Sequence, residues 1–149
     1  MSAFEDAVIQ RIKQLEREVE RLQRWERPKL GQWTSFTPTY TDWTSGTVKG
    51  TFKYSIIGNI VFLLIDMTAG TSNSTAARID LPVNADLTAS YGGALGMAMD
   101  NGVVLSVATK WYIGGTNQEI AFASNMGTGL WTASGTKLVR CLAIYAKGT

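Results

Sequence analysis

Few side chains of this 149-residue chain are suited to chemistry. It has no His, which removes the commonest general base, and its single Cys141 can form neither an intrachain disulfide nor a thiolate metal cluster. Beyond residue 30 the carboxylates are scattered along the chain: Asp42, Asp66, Asp80, Asp86, Asp100 and Glu119. Two of them could in principle serve a glycosidase, but scattered acids are expected in any soluble domain. We therefore predict no enzyme, no cofactor and no metal site, and we interpret Cys141 as a small buried hydrophobe.

Aromatic side chains near glycine-rich connections are the candidates for binding. The candidates are four aromatic residues and one amide residue: Tyr91, Trp111, Tyr112, Trp131 and Asn117. Ring faces with nearby hydrogen-bonding groups commonly hold sugars, so these residues are predicted to bind a receptor. Aromatic residues also fill hydrophobic cores, and that interpretation stays open for each of them.

The distribution of charge indicates which elements could position these residues. Thirteen of the 26 charged side chains lie in residues 1–29, and the other 120 residues share the remaining thirteen. Pro28 and Gly31 follow the charged segment, as is typical of a boundary. We predict a stalk over residues 1–29 and a second domain over residues 30–149. The net charge of +2 is spread over both parts, so no nucleic-acid partner is predicted.

A heptad seam runs along the charged segment. Its apolar residues are spaced alternately by four and three positions: Val8, Ile12, Leu15, Val19 and Leu22. This pattern predicts a coiled coil, in which Arg11 of one chain pairs with Glu16 of its neighbour. The alternative is an amphipathic helix packed on its own domain, which usually shows a wider apolar stripe.

Two rules bear on the number of strands in the coil. β-Branched residues at a and Leu at d favour two strands, whereas the run from Arg11 to Glu16 resembles a short trimerisation motif with Arg at g and Glu at e. We expect a homotrimer. Isolated helices of about 22 residues are marginally stable in water, so we also expect the second domain to contribute to the interface.

Beyond residue 30 the pattern is all-β, with frequent Thr, Val, Ile and aromatic residues and regularly spaced Gly. We predict eight strands: 34–40, 47–57, 60–68, 75–81, 94–99, 103–112, 119–123 and 138–146. Gly58-Asn59 and Asn101-Gly102 predict tight hairpin turns. Eight antiparallel strands suit a β-sandwich. The strand 60–68 is apolar on both faces, which places it centrally or at a subunit interface.

The order of motifs in this domain resembles that of the C-terminal modules of bacteriophage and prophage virion proteins. Trp33, Pro38-Thr39 and Trp43 are followed by the run 50–54, the Gly58-Asn59 turn and a long apolar strand. Leu81-Pro82, the run 129–135 and a closing strand that ends at Tyr145 continue the order. The resemblance covers roughly residues 31–146. It implies a jelly-roll-like β-sandwich, usually trimeric, that forms a projecting knob on tail fibres, head fibres or baseplates and often contacts the host.

The sequence thus predicts a trimeric virion fibre or spike whose knob adheres to the host surface. The alternative is a purely structural capsid-decorating or baseplate protein without receptor binding. Predicted partners are two further copies, other virion proteins through the N-terminal stalk, and a host-surface glycan or protein. The longest apolar run, 60–65, is far shorter than the roughly 18 residues of a membrane span, so no membrane insertion is predicted. No signal peptide is recognisable, so we expect synthesis in the host cytoplasm and location in the virion.

Overall fold

The computed structural model describes residues 3–25, 32–44, 46–72, 74–113, 118–127 and 129–148. The chain divides into two compact units, Met1–Gln32 and Trp33–Thr149, and we call the second unit the β-domain. Over the described residues the fold is mainly β, with two antiparallel sheets and one N-terminal helix.

Helix α1 runs from Ala3 to Trp25. The described side chains of the predicted seam are all exposed, by 42% for Val8, 50% for Ile12, 45% for Leu15 and 50% for Val19. Leu22 lies in the helix, but its side chain is outside the described residues. The seam is therefore open to solvent in the single chain.

The predicted charged partners of the seam, Arg11 and Glu16, are also exposed on α1. Within the helix, Arg11 Nη1 donates a hydrogen bond to Gln14 Oε1 at 3.0 Å. In the described ranges no helix combines the length and apolar character needed to cross a bilayer.

The described part of the β-domain forms two antiparallel sheets. Sheet A has the strand order β1 (Thr34–Ser35), β3 (Lys49–Ile57), β4 (Ile60–Ala69), β11 (Leu138–Ala146), β7 (Met97–Asp100) and β8 (Val103–Val104). Sheet B has the order β2 (Tyr40–Thr41), β5 (Arg78–Asp80), β10 (Glu119–Ala123), β9 (Lys110–Ile113) and β6 (Tyr91–Ala94). The two sheets bury their inward residues, among them Leu63 and Ile65 of β4 and Ile79 and Ile120 of sheet B, in one hydrophobic cluster.

Four antiparallel strand pairs are nested along the chain. β7 pairs with β8, β6 with β9, β5 with β10, and β4 with β11. The chain from β4 to β11 is thus one long hairpin whose tip is the Asn101-Gly102 turn. The outermost and innermost pairs lie in sheet A and the two middle pairs lie in sheet B, so the hairpin folds back across both sheets.

Both predicted hairpin turns are confirmed. Asn101 and Gly102 have φ values of 50° and 78°, and positive values at both central residues are what a type I′ turn requires. Gly58 joins β3 to β4 with a φ of 61°, which suits the type II′ turn, where Gly stands first.

Three predictions of a single continuous strand were wrong, because each range contains residues of both sheets: 34–40, 94–99 and 103–112. Between β6 and β7, the Leu95 N–H donates to Thr109 O, beside β9 of sheet B, while the next residue, Gly96, donates to Arg140 O of sheet A. The chain therefore changes sheet within one peptide unit, and the described residues form eleven strands rather than eight. Apolar alternation predicts a strand but not its sheet, because it carries no information about pairing partners.

Candidate ligand-binding cleft

An open cleft of about 470 Å³ lies on the outer face of sheet B. Its floor is formed by β9 and β10, where Tyr112 lies opposite Ala121 and Lys110 lies opposite Ala123. Side chains alternate between the two faces of a strand, so Trp111 and Phe122, between these residues, point into the core. The two alanines are short, and this leaves space above β10 between the side chains of β9 and the loop that follows β10.

The loop after β10, which we call the loop 124–130 and which is described at residues 124–127 and 129–130, contributes the opposite wall through Gly127, Gly129 and Leu130. Asn125 Oδ1 accepts hydrogen bonds from the Gly127 N–H at 2.8 Å and the Gly129 N–H at 2.9 Å. Ser124 adds bonds from its N–H to Gly129 O and from its Oγ to Leu130 O. A side chain that holds nearby backbone groups in this way stabilises a local turn. The wall is therefore a hydrogen-bonded loop that presents the exposed side chain of Leu130.

Trp131 fastens the end of this loop. Its indole is 2% exposed, and the indole N–H donates to Phe122 O on β10 at 2.7 Å. Its backbone N–H donates to Thr75 O at 2.9 Å. Trp131 thus joins the loop to the floor of the cleft on one side and to the segment before β5 on the other.

Arg78 of β5 lines the cleft. Its guanidinium group lies between two carboxylates. Its Nη2 lies 3.5 Å from Asp42 Oδ2 and its Nη1 lies 3.6 Å from Glu119 Oε2. Glu119 Oε1 also accepts a hydrogen bond from Thr41 Oγ1 at 2.6 Å. Asp42 Oδ2 is buried and makes no hydrogen bond among the described residues, so its contact with Arg78 is an ion pair without a directed bond. The two acids together hold Arg78 in place and offset its charge.

Tyr112 presents the accessible ring of the cleft. Its side chain is 46% exposed, and Lys110 Nζ lies 5.7 Å from the ring centroid. A cation at this distance interacts with the π-face and contributes about 0.5 to 1 kcal/mol at an exposed site. The cleft therefore combines the partly exposed ring of Tyr112, the ammonium group of Lys110 and the guanidinium group of Arg78 with its two carboxylate partners.

Of the five predicted receptor-binding residues, Tyr112 lines this cleft, while Trp111 and Trp131 do not offer a binding platform. They are 4% and 2% exposed, and a ring packed on both faces cannot stack on a ligand. Trp111 packs closely against β6, where a Cβ on Gly93 would come within 2.9 Å of its indole nitrogen. Tyr91 is half-buried, with its ring 6.3 Å from that of Tyr145. Asn117 lies outside the described residues.

The sequence interpretation missed Arg78, Asn125 and Leu130. The role of Asn125 could have been predicted, because Gly127 and Gly129 follow it by two and four positions. Asn with nearby Gly favours a local turn that the Asn side chain stabilises. Arg78 and Leu130 carried no such signal, since each contributes through residues distant in the chain.

The other potentially reactive groups lie apart from this cleft. Asp66 Oδ1 pairs with Arg140 Nε at 2.8 Å on sheet A. Cys141 is buried, and burial raises the pKa of its thiol to about 12, so the thiolate does not form at neutral pH. Among the described residues, no group of three or more Cys, Asp or Glu side chains is placed to hold a metal ion.

Comparison of the chain with protein-family models, with curated proteins and with solved structures found no match.

Proposed function

We propose that the protein is a homotrimeric fibre or spike of a bacteriophage virion, in which α1 forms a coiled-coil stalk and the β-domain forms a knob that binds a host-surface glycan. The cleft on sheet B carries this proposal, because it presents an exposed ring beside charged groups on a strand-built surface. The order of motifs that resembles phage virion modules supplies the virion context.

The exposed seam supports the stalk. Val8, Ile12, Leu15 and Val19 expose apolar surface along one side of α1, and a heptad seam is covered efficiently by further copies of the same helix. Arg11 and Glu16 flank one layer of the seam and complement each other between chains. The resemblance of this segment to a trimerisation motif favours three strands.

The nested pairing of strands supports a jelly-roll-like sandwich. A jelly roll is a two-sheet antiparallel fold in which a long hairpin is wound across both sheets. The four nested pairs from β4 to β11 have this character, and both sheets contribute to one core. The helix followed by such a domain matches the stalk and knob of the proposed fibre.

The chemistry of the cleft suits a saccharide. A sugar ring has an apolar C–H face, which packs on an aromatic ring such as Tyr112, and hydroxyl groups that hydrogen-bond to charged and backbone groups such as those of Arg78 and the loop 124–130. The cleft is open to solvent, so one site is expected to bind weakly. Three linked sites on one trimer strengthen attachment by about 10² to 10⁴ when the target presents repeated copies.

Replacing Tyr112 with Ala is expected to weaken cell binding by at least about tenfold, because the loss of ring packing worth about 1.4 kcal/mol changes the dissociation constant by that factor. Fluorescently labelled protein is titrated onto intact cells of a bacterial panel and measured by flow cytometry, with excess unlabelled protein as competitor. Purified surface polysaccharide of the bound strain is a second competitor and distinguishes a glycan from a protein receptor.

The matched control for this experiment is Trp33→Ala, since Trp33 is an aromatic residue of similar exposure, 42%, just before β1 of sheet A. The control should bind cells as the wild type does. If both variants lose binding equally, the cleft is not the receptor site. If the wild type shows no competed binding at micromolar concentration, the structural alternative, a capsid-decorating or baseplate protein, replaces adhesion.

A further inference from the structure

The outer face of sheet A is apolar, although alternation normally leaves such a face polar. Val61, Leu63 and Ile65 of β4 point inward and are fully buried. The residues between them, which point outward, are also hydrophobic. The outward apolar residues of β3, β4 and β11 form what we call the apolar patch: Ile57, Ile60, Phe62, Leu64, Leu142 and Ile144.

The strand register makes the apolar patch continuous. Leu142 lies opposite Leu64 and Ile144 lies opposite Phe62, and directly opposed residues in a sheet have Cβ atoms about 4.5 to 5.5 Å apart. Leu142 and Ile144 remain 48% and 46% exposed. The largest contiguous apolar patch on a protein surface is often functional.

The charges at the border of the patch allow copies of it to pack together around the axis of the proposed trimer. Asp66 and Arg140 pair with each other at 2.8 Å beyond Leu64 and Leu142, so their charges offset one another. Lys53 lies opposite Leu64 on the other side. A border with both signs of charge does not repel a copy of itself as a border of one sign would.

The size of the patch requires a second contact surface. The patch spans three strands about 4.8 Å apart and about five residues along each strand, so its area, with the width of the side chains included, is roughly 300 Å². A stable interface buries about 800 Å² per partner. The exposed seam of α1 is a second unpaired apolar surface on the same chain. Further copies of this chain carry a matching surface for each of the two.

We infer that the apolar patch on sheet A is a second self-association surface, covered by the β-domains of the other copies in the same oligomer; this inference rests on the proposed trimer. Chains held together by their helices keep their β-domains at high effective concentration. Packing of the patches then adds stability to an oligomer that the short helix alone would hold together only weakly.

The test compares the full-length double variant Leu142→Glu/Ile144→Glu with wild type by analytical ultracentrifugation over a concentration series. We expect the concentration at half-dissociation to rise by at least about a hundredfold, because two central apolar side chains of an interface become buried charges. The matched control is Val103→Glu/Val107→Glu, which also replaces two exposed apolar side chains with Glu but outside the patch, and it should keep the wild-type oligomer.

Two further variants separate the patch from the stalk and from misfolding. Ile12→Asp/Leu15→Asp disrupts only the seam. If that variant dissociates while the folded patch variant remains as oligomeric as wild type, the patch inference is overturned and the stalk stands; a monomeric wild type overturns both. Far-UV circular dichroism monitors folding. Should the Glu pair unfold the β-domain, the strand-compatible Leu142→Thr/Ile144→Thr variant decides by the same dissociation measurement.

Discussion

Replacing Asp100 with Ala is expected to lower the free energy of unfolding by about 3 to 5 kcal/mol, because it leaves a buried ammonium group without its counter-ion. Lys137 is fully buried, and its Nζ donates to Asp100 Oδ1 at 2.8 Å and to Ser134 O at 3.1 Å. Asp100 Oδ2 also accepts bonds from the N–H and the Oγ of Thr132. The carboxylate therefore joins the tip of the long hairpin to the loop before β11.

The same carboxylate should make stability depend on pH. Burial alone would raise the pKa of Asp100, but the hydrogen bonds from Lys137 and Thr132 and the charge of Lys137 outweigh burial and lower the pKa below its ordinary value of 3.8. A lowered pKa in the folded state adds stability above the unfolded pKa and loses it as pH falls through the folded value. The difference between wild type and Asp100→Ala should therefore shrink below about pH 4.

Urea unfolding followed by circular dichroism at fixed protein concentration measures both effects. The double variant Asp100→Ala/Lys137→Met should recover much of the lost free energy of unfolding, because it removes the unpaired buried ammonium group and keeps an apolar side chain of similar length. Asp86→Ala is the control: it deletes a carboxylate that bonds to Thr88 and not to a buried cation. Equal stability of Asp100→Ala and wild type at pH 7 would contradict the role given to this ion pair.

Replacing Trp131 with Ala is expected to cost about 3 to 5 kcal/mol, the usual range for removing a large aromatic residue from a core. Trp131→Phe keeps most of the packing but leaves Phe122 O without its indole donor, and an unsatisfied buried carbonyl costs about 1 to 3 kcal/mol. Both changes release the end of the loop 124–130, so we also expect weaker cell binding through the cleft.

The measurement is again urea unfolding, with the cell-binding titration performed on the folded Phe variant. Trp33→Ala serves as the control, since an exposed substitution usually changes stability by no more than about 0.5 kcal/mol. If Trp131→Phe unfolds at the same urea concentration as wild type and binds cells equally, the indole hydrogen bond does not hold the wall of the cleft.

Some features of the fold could be predicted from neighbouring residues. The spacing of Val8, Ile12, Leu15 and Val19 predicted α1 and its apolar seam, since helical periodicity is local. The strands 119–123 and 138–146 were predicted with the bounds that β10 and β11 have. Gly58 and Asn101-Gly102 predicted the two hairpins because few other residues adopt positive φ values readily.

The candidate site could be predicted only in part. Tyr112 and Trp111 were predicted together as binding residues. Tyr112 is exposed, but Trp111, its neighbour, points into the core because side chains alternate along β9. Residue type alone does not distinguish the two. Lys137 is similar: a lysine before a strand is expected to face solvent, yet the hairpin tip covers it and Asp100 neutralises it.

The sequence by itself therefore determined the helix with its apolar seam, the all-β character of the rest and the tight turns, since these follow from periodicity and backbone preference over a few residues. Only the tertiary structure decided which sheet each strand joins, which rings are buried, and that Arg78, Tyr112 and the loop 124–130 share one cleft. It also decided that the second face of β4 and β11 is an apolar surface open to solvent. The physical reason is that strand pairing and burial depend on contacts between residues far apart in the chain, such as Asp66 with Arg140 and Thr75 with Trp131.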